Sequence, residues 1–539
     1  MLPSTSLAPT LTAAASFFII ALLILLLRRF FTSPLNGIPG PWWARLSDLP
    51  LFYKSAVCLQ QAQTVEELHR KYGSIVRIAP NEVAVSSLAS FKVVNKIGGG
   101  FVKSPWYEYI GPTEKNYPPA GLFQQNDPHK HAMTRKLFAR GFTAAYLRAE
   151  WEDMVRNKTA KAVDGIVKEA QESGGISDVR RWWTFLASDV VSELMFGESL
   201  GGLETQKMHA FFHKVRSSNL ASLLSYHLPL VYSALSWIPL PALTDFFGAW
   251  RSLLDISSIA YRNSLSNASN KNIFSGILAK AEEDDEALTP MQVTVEAGSF
   301  IIAGSETTSE SLTYLIWAVL KRPEVEIDLQ EELATIDSEA SDAELGRLPV
   351  LNAVIKETLR LYAAIPMPEP RVVPKGGVTL EGQFLPEGTV VNTTPWVSHR
   401  DPAIFPDPEK FDFQRWLPDG PATLSPDART AWWPFGAGSR TCIGQHLAMM
   451  EMRLATVLFF KRFAGAKLAP DTTDASMIMN NYVVISPKSG KMKVDFSDVK
   501  GLLIKHREPA KGNVDQVLDR HRVGCPKDSF SHTETATGW

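Results

Sequence analysis

Residues Pro434 to Gly444 read PFGAGSRTCIG and run directly into a stretch with helical periodicity, IGQHLAMMEMRLATVLFF. Gly436 and Gly438 can adopt backbone angles that other residues rarely reach, which lets the main chain approach a bound group closely. Cys442 lies just before the helix, where free N–H groups and the positive end of the helix dipole favour a thiolate over a thiol. A single thiolate in such a loop suits the axial position of a haem iron.

Three other interpretations of this loop have to be weighed. A dinucleotide-binding fingerprint needs a third glycine where the loop has Thr441, and a phosphate-binding loop needs Gly-Lys-Ser/Thr, which the loop lacks. A lone cysteine is most often a small buried apolar residue. The residues argue against the first two interpretations, whereas the third stays open on this feature alone.

The segment resembles the haem-binding signature of the cytochrome P-450 superfamily at Phe435, Gly436, Gly438, Arg440, Cys442, Gly444 and Ala448. The resemblance implies that Cys442 is the proximal ligand of a haem b iron. It further implies that Phe435 packs beside Cys442, that Arg440 pairs with a haem propionate, and that Gly444 belongs to the cofactor-binding set. The implied fold is mainly α with a smaller β-rich portion, and the haem lies between a long distal helix and the cysteine loop.

Composition limits the partners and the compartment. The chain has 539 residues, of which 45% are hydrophobic, so it can bury a large core. A net charge of −2 argues against nucleic acid as the main partner. Cys58, Cys442 and Cys525 are widely spaced and form neither a disulfide framework nor a zinc pattern, which suits a reducing compartment.

Residues 11–27 are almost continuously apolar (LTAAASFFIIALLILLL), and Arg28 and Arg29 follow them. A run of this length reaches the lower limit for crossing a hydrocarbon core of ~30 Å. A cleaved signal peptide would carry positive charge before the run and small residues after it, whereas here the arginines come behind. The pattern predicts a single-pass signal anchor in the endoplasmic reticulum membrane, with the catalytic domain in the cytosol.

The predicted organisation therefore has five parts. Residues 1–10 form a short lumenal N-terminus, 11–29 the transmembrane anchor with its basic stop, and 30–45 a proline-rich hinge. The hinge resembles that of microsomal family members. Residues 46–496 form the catalytic domain, and 497–539 form a polar C-terminal tail.

A long helix is predicted from Thr289 to Leu320. The stretch TPMQ at its start combines a capping box with a proline at the first helical position. Its middle reads AGSETT, from Ala303 to Thr308, and a glycine, an acid and a threonine all weaken a buried helix. Such faults are typical of functional sites, although polar residues that face other helices would explain them equally well.

The AGSETT stretch resembles the oxygen-activating segment of the family, which implies catalytic roles for Gly304, Glu306 and Thr307. The missing side chain at Gly304 would leave space for a diatomic ligand against the helix. The Thr307 hydroxyl can bond the carbonyl of Ala303, four residues back. Glu306 offers a titratable group that can pass protons inward.

Two further groups of residues take their roles from the resemblance. His131 and Arg135 lie four residues apart on a predicted basic amphipathic helix and would otherwise be read as part of a solvated face. The resemblance assigns them to the haem propionates, together with Arg371 of PEPRVVP. Lys130, Lys136 and Arg140 would then present a basic patch to an acidic electron donor.

The second group is a structural triad. Glu357 and Arg360 lie three apart in VIKETLRL, and Arg415 of FDFQRW would be the third member. Phe413 and Gln414 stand where the family usually has Pro-Glu, which puts the local bracing of Arg415 in doubt.

The apolar stretch 228–250, interrupted by prolines, falls where family members place the substrate entrance, although it could equally be core.

The resemblance as a whole implies a membrane-anchored haem-thiolate monooxygenase of the microsomal fungal type. It would hydroxylate or epoxidise a hydrophobic small molecule, with electrons from NADPH passed through NADPH-cytochrome P-450 reductase. By analogy, the substrate is a secondary metabolite such as a terpenoid, polyketide or alkaloid. Two alternatives stay open: a haem-thiolate isomerase or dehydratase that needs no oxygen, and a membrane-anchored haem protein without catalysis.

Overall fold

A computed structural model describes residues 30–110, 120–265, 272–275, 277, 288–418, 420, 424–481 and 483–500, together with 16, 17, 20, 21, 24, 27 and 28. The predicted lumenal segment, most of the predicted anchor and nearly all of the predicted tail lie outside these residues. Within the part of the chain that is described, no helix has both the length and the apolar character needed to cross a membrane.

Helices account for most of the described chain, which confirms the predicted mainly α fold. The first ten helices are α1 (Leu49–Ala56), α2 (Gln61–Tyr72), α3 (Leu88–Val94), α4 (Trp106–Tyr109), α5 (Pro128–Ala139), α6 (Ala144–Glu150), α7 (Glu152–Glu172), α8 (Val179–Phe196), α9 (Gly202–Thr205) and α10 (Ala210–His227). They are followed by α11 (Pro229–Ser236), α12 (Pro241–Phe247), α13 (Ala249–Leu265), α14 (Pro290–Leu320), α15 (Pro323–Leu333), α16 (Asp342–Leu345), α17 (Pro349–Leu361), α18 (Pro395–Ser398), α19 (Pro426–Ala431) and α20 (Gln445–Arg462).

The strands are short and form several small sheets. They are β1 (Ile75–Ala79), β2 (Glu82–Val85), β3 (Val102–Lys103), β4 (Ile176–Asp178), β5 (Glu369–Val372), β6 (Val378–Leu380), β7 (Gln383–Leu385), β8 (Val390–Thr393), β9 (Lys467–Leu468), β10 (Met479–Asn481), β11 (Ile485–Pro487) and β12 (Lys493–Asp495). The largest sheet has the order β1-β2-β8-β5-β3, and the smaller ones are β4-β12-β9, β10-β11 and β6-β7.

Strand pairing in the largest sheet positions β5, the strand that carries Arg371. The alternating residues around Pro80 predict a hairpin, and β1 and β2 form it, with Ile75 opposite Val85. β2 then pairs in parallel with β8, and the remaining neighbours are antiparallel. At the far edge β3 pairs with β5 so that Lys103 lies opposite Arg371. Two cationic residues therefore meet on adjacent strands.

The long helix α14 runs through the main core and packs along α8, α13 and α20. It begins as predicted: the Thr289 hydroxyl accepts the backbone N–H of Gln292, and the side-chain oxygen Oε1 of Gln292 accepts the backbone N–H of Thr289. Gly304 lies where α14 meets α8, and a Cβ atom there would come within 2.8 Å of Val191 Cγ2. The glycine thus permits close packing of two helices, a reason that the sequence pattern did not reveal.

Glu357 of α17 is fully buried and brings the predicted triad together. Its carboxylate accepts hydrogen bonds from Arg360 Nε (2.9 Å) and Nη2 (2.8 Å), and from Arg415 Nε at 3.2 Å. Trp416 Nε1 donates to the same carboxylate at 2.8 Å. Arg415 reaches Glu357 from a short 3₁₀ turn, Phe413–Trp416, so the unusual residues before it do not prevent the contact.

His399 links this triad to the cysteine loop. The ring is completely buried and lies just after α18. Its Nδ1 lies 3.0 Å from the Arg360 carbonyl oxygen, and its Nε2 accepts the backbone N–H of Trp433 at 3.0 Å. Since Nε2 accepts a hydrogen bond, the ring is neutral and Nδ1 donates. Burial, helped by Arg360 and Arg400, lowers the pKa of His399 to about 3, which agrees with a neutral ring.

We expect Glu357→Ala to destabilise the protein strongly, because it removes the buried carboxylate that Arg360 and Arg415 share. Breaking one side of a buried ion pair costs roughly 3–5 kcal/mol. The measurement is the urea midpoint followed by circular dichroism at neutral pH.

A matched control is Lys161→Ala, which removes the exposed pair of Lys161 with Glu204, whose side chains are 58% and 49% exposed. An exposed pair contributes about 0–1 kcal/mol. Equal shifts for the two variants would contradict the structural role of Glu357.

Candidate active site

A large cavity lies between α14 on one side and the cysteine loop with α20 on the other. It contains about 1560 Å³ of space not filled by protein atoms, a figure that includes open solvent. Most of the residues selected from the sequence line it: His131, Arg135, Gly304, Thr307, Arg371, Phe435, Arg440, Cys442 and Gly444. Residues from distant parts of the sequence therefore meet at one cavity.

The loop before α20 is closed on itself by a short backbone hydrogen bond, from the Cys442 N–H to the Phe435 carbonyl, of 2.7 Å. Gly436 and Gly438 have φ of +73° and +66°, in the left-handed region that favours glycine. A Cβ atom on Gly438 would also lie only 2.4 Å from the Asn95 carbonyl oxygen. These two glycines therefore hold the loop in a shape that presents Cys442 to the cavity.

The thiol of Cys442 differs in one respect from what its position before a helix predicts. Burial raises its pKa, and the backbone N–H groups of Gly444 and Gln445, together with the Arg135 guanidinium, oppose this effect without reversing it. The N–H groups at the start of the helix thus favour the thiolate, as expected, but they do not outweigh the loss of solvation. Although protein atoms surround the sulfur, Cys442 is exposed toward the cavity, and a thiol there loses its proton when it coordinates a metal ion, because metal binding releases protons from its ligands.

Basic side chains gather at one edge of the cavity. Arg440 donates from Nη1 to the Gln125 carbonyl at 2.6 Å and from Nη2 to the Asn126 carbonyl at 3.3 Å. Arg371 has Glu369 as an acidic neighbour, at a distance of 3.5 Å. His131 and Arg135, one turn apart on α5, point to the same edge as predicted.

Lys103 also belongs to this edge, although no sequence pattern pointed to it. The side chain is buried, its Nζ donates to the Phe123 carbonyl at 2.6 Å, and it lies over the Tyr107 ring at 4.1 Å. Burial and the neighbouring guanidinium groups of Arg371 and Arg440 lower its pKa well below the usual value.

The basic residues at this edge have too few acidic neighbours to balance their positive charge. Burial and the surrounding cations lower the pKa of His131 to about 3, and burial and Arg371 lower that of Arg440 to about 10. Buried cations that depress one another in this way would be stabilised by an anionic group between them. The two carboxylates of a haem provide such a group, and the sulfur of Cys442 is a suitable ligand for its iron.

Thr307 and Glu306 are neighbours in the sequence but lie on different faces of α14. The Thr307 hydroxyl donates to the Ala303 carbonyl at 2.7 Å, as expected, and Thr307 lines the cavity. Glu306 is not among the lining residues and acts electrostatically on Glu310, whose pKa is raised to about 7, chiefly by burial. Arg180 Nε donates to Glu310 at 2.9 Å. A proton supplied by Glu306 would therefore reach the cavity only indirectly.

Two acidic residues of the lining were not expected from the sequence: Glu296 and Glu451. Glu451 lies on α20 and is buried, and burial raises its pKa well above the usual value. These carboxyl groups come from separate elements that converge only in the fold, so periodicity along one segment does not reveal them.

The fold and this arrangement define a haem-thiolate enzyme, and the comparisons identify its family. A sequence profile described as cytochrome P450 matches residues 39–494, so the chain belongs to the cytochrome P450 family. The family implies a haem bound through a cysteine thiolate, and Cys442 is the cysteine that lines the cavity.

The chain is similar to several fungal proteins that carry the name cytochrome P450 monooxygenase, and it is a monooxygenase of this class. It is 38% identical over 475 residues to stcB of Emericella nidulans, which covers 86% of this chain and 89% of that protein. It is also 38% identical over 474 residues to aflV of Aspergillus parasiticus, covering 86% and 92% of the two chains. The identity to tazI of Aspergillus terreus is 35% over 474 residues, covering 87% and 95%.

We expect Arg440→Gln to weaken haem retention, because it removes one of the cations that would pair with the propionates. A hydrogen bond to a charged group contributes roughly 1.5–3 kcal/mol, so haem should be lost about 10- to 100-fold faster. The measurement is the rate of haem transfer to an excess of a haem-free globin.

Lys130→Gln serves as the control, since Lys130 is exposed on α5 and does not line the cavity. Loss rates that match between Arg440→Gln and the unmodified protein would show that Arg440 does not hold the cofactor.

Proposed function

We propose that the protein uses electrons from NADPH, delivered by NADPH-cytochrome P450 reductase, to insert one oxygen atom into a hydrophobic secondary metabolite. The observation that carries the proposal is that one cavity has Cys442 on one wall and Thr307 on the opposite wall. A terpenoid, polyketide or alkaloid is the proposed substrate class, in keeping with the fungal monooxygenases to which the chain is similar.

The bound haem supplies the activation of dioxygen, and the protein supplies position, exclusion of water and protons. Phe142, Val191 and Met195 contribute apolar surface to the cavity, which favours an apolar substrate over water. Thr307 holds a hydroxyl at the cavity wall, where it can exchange its bond with the Ala303 carbonyl for a bond to a group in the cavity. Glu306 would supply protons from the other face of α14.

The two alternatives make different use of these residues. An isomerase or dehydratase that needs no oxygen would have no role for a proton-delivering hydroxyl next to the haem. A haem protein without catalysis would likewise have no role for that hydroxyl. Product formation that continues without oxygen would favour the isomerase or dehydratase, and the absence of substrate-stimulated NADPH oxidation across a broad panel would favour the non-catalytic protein.

We expect Thr307→Ala to oxidise NADPH while releasing most of the reducing equivalents as hydrogen peroxide. Removal of the hydroxyl removes ordered proton delivery, and a positioned proton donor is typically worth 10²–10⁴-fold, so product formed per NADPH should fall at least ~10-fold. The measurements are NADPH consumption, peroxide and product in the same reaction.

The matched control is Thr313→Ala on the same helix. Thr313 makes the same kind of bond, to the Ser309 carbonyl at 2.8 Å, but does not line the cavity. Tight coupling in Thr307→Ala, or equal uncoupling in both variants, would refute the proton-delivery role.

The reductase is proposed to dock on the exposed side of α5. Lys130, Lys136 and Arg140 are exposed, whereas His131 on the same helix is buried against the cavity. This segment therefore connects a basic surface to the edge of the haem site. A basic surface steers an acidic partner, and the attraction weakens as salt rises.

We expect the double charge reversal Lys136→Glu with Arg140→Glu to reduce reductase-supported turnover at low ionic strength by at least ~10-fold, through slower association. Peroxide-supported turnover should be unchanged, because it bypasses the reductase. The control is Lys207→Glu, an exposed lysine just after α9. Equal losses in both assays would argue against a docking role.

A single-pass anchor in the endoplasmic reticulum membrane, with a cytosolic catalytic domain, also remains a proposal. Its support is an exposed apolar surface on α11 and the segment that follows it, where the side chains of Leu230 and Trp237 are 83% and 84% exposed. His227 at the end of α10 contacts Asp48 before α1, with Nδ1 and Oδ2 2.6 Å apart, so this surface lies near the N-terminal part of the chain. Exposed apolar surface of this kind is typical of membrane or partner contact.

A further inference from the structure

The wall of the cavity formed by the first half of α14 contains buried polar atoms that have no hydrogen-bond partner among the described residues. Glu296 is 2% exposed, and its Oε1 accepts the backbone N–H of Leu122 at 2.8 Å. Its second oxygen, Oε2, has no partner. One turn further on, the Ser299 hydroxyl is buried without a partner as well. Both residues line the cavity.

A third atom of the same kind lies beside them. Gln124 is buried, and its side chain donates to the Ile110 carbonyl, but its Oε1 has no partner. A Cβ atom placed on Gly121 would lie 3.0 Å from Gln124 Oε1 and 3.4 Å from Ser299 Oγ. Polar atoms from the segment around Leu122 and from α14 therefore converge at one place.

Buried polar atoms without hydrogen-bond partners destabilise the folded protein unless a bound molecule supplies those partners. A buried polar atom without a hydrogen bond costs roughly 1–3 kcal/mol, and native proteins contain few of them. Burial raises the pKa of Glu296 to about 8, and the Leu122 N–H only partly offsets this. Near neutral pH the carboxyl group is thus mainly uncharged and can both donate and accept a hydrogen bond.

The position along α14 limits the shape of a ligand. Glu296 precedes Ala303 by seven residues and Thr307 by eleven, and at 1.5 Å per residue these intervals correspond to roughly 10 and 16 Å along the helix axis. All three residues line the same cavity. A molecule that contacts Glu296 and reacts near Thr307 must therefore be elongated.

We infer that Glu296, together with Ser299, binds a hydroxyl group at the far end of an elongated, uncharged, mainly apolar substrate. The inference rests on the proposed function and adds to it the substrate's polar group and length. A hydroxyl donates one hydrogen bond and accepts others, which matches a carboxyl group and a serine hydroxyl that lack partners. A cationic group fits less well, because several basic side chains, among them Arg135 and Arg371, line the same cavity.

The test compares matched probes with and without one hydroxyl: pyrene with 1-hydroxypyrene, and p-terphenyl with 4-hydroxy-p-terphenyl. Dissociation constants are measured at neutral pH from the substrate-induced spectral shift of the full-length haem protein. We expect each hydroxylated probe to bind about 10-fold more tightly than its parent, in line with one hydrogen bond to a buried group.

The variants separate the possible explanations. Glu296→Gln keeps a hydrogen-bonding group and should retain most of the preference for the hydroxyl. Glu296→Leu should reduce the preference for the hydroxylated probe to about 2-fold or less, while binding of the parent hydrocarbon is preserved. Ser299→Ala should reduce this preference only in part. The matched control is Glu310→Gln, another buried carboxyl on α14, which does not line the cavity and should leave the preference unchanged.

Several results would overturn the inference: no preference in the unmodified protein, a preference that survives in Glu296→Leu, or no binding by any hydroxylated probe. A further probe carries a trimethylammonium group in place of the hydroxyl. If this probe bound more tightly than the parent hydrocarbon, and if that advantage disappeared in Glu296→Gln, the carboxylate would recognise a cation instead. The carbon monoxide difference spectrum is recorded on every sample. An intact spectrum without hydroxyl selectivity refutes this inference alone, whereas loss of the sulfur-ligated spectrum in the unmodified protein refutes the proposed function.

Discussion

The position of the Cys442 sulfur depends on a line of buried hydrogen bonds that begins at Glu357. The carboxylate holds Arg360, the Arg360 carbonyl holds the His399 ring, and that ring accepts the N–H of Trp433, next to the start of the cysteine loop. The Cys442 N–H bond to Phe435 then closes the loop. Because each group is buried, losing one bond leaves the next polar group without water to replace it. The ion pair, which does not itself line the cavity, is therefore part of what positions Cys442.

The basic side chains at the cavity edge lack a matching group of negative charges in the protein itself. Lys103, His131 and Arg440 all have a lowered pKa, with burial as the main cause. A dianionic cofactor would restore the ordinary charge state of these groups, so part of its binding free energy would be spent on relieving their mutual repulsion. A ligand that binds only the folded state also stabilises that state, which couples haem binding to folding.

Structural features could be predicted from the sequence where the contacts that determine them are local or where a long motif is present. The capping box at Thr289 and the bond from Thr307 to Ala303 follow from spacing along one helix, and the structure shows both. Lys103 could not be found this way, because its role arises when a two-residue strand pairs with the strand that carries Arg371. The contact of Gly304 with Val191 likewise depends on how two distant helices cross.

The orientation of Glu306 could not be deduced from spacing along the helix. Consecutive residues differ by about 100°, so two neighbours can both line a wide cavity, as Thr307 and Thr308 do, or only one of them can, as with Glu306 and Thr307. The Cys442 thiol is a similar case, since the helix-end effect is local but the desolvation that outweighs it is a property of the whole fold.

The lining contributed by α14 follows the helical repeat, at positions 296, 299, 300, 303, 304, 307, 308 and 311. A single straight stripe of a rigid helix thus carries the unsatisfied carboxyl group of Glu296 near one end and the hydroxyl of Thr307 further along. The separation of these groups is set by a rise of about 1.5 Å per residue and not by the conformation of a loop. If Glu296 binds the substrate's hydroxyl as proposed, the carbon that is oxidised would be set by its distance from that hydroxyl along the helix axis.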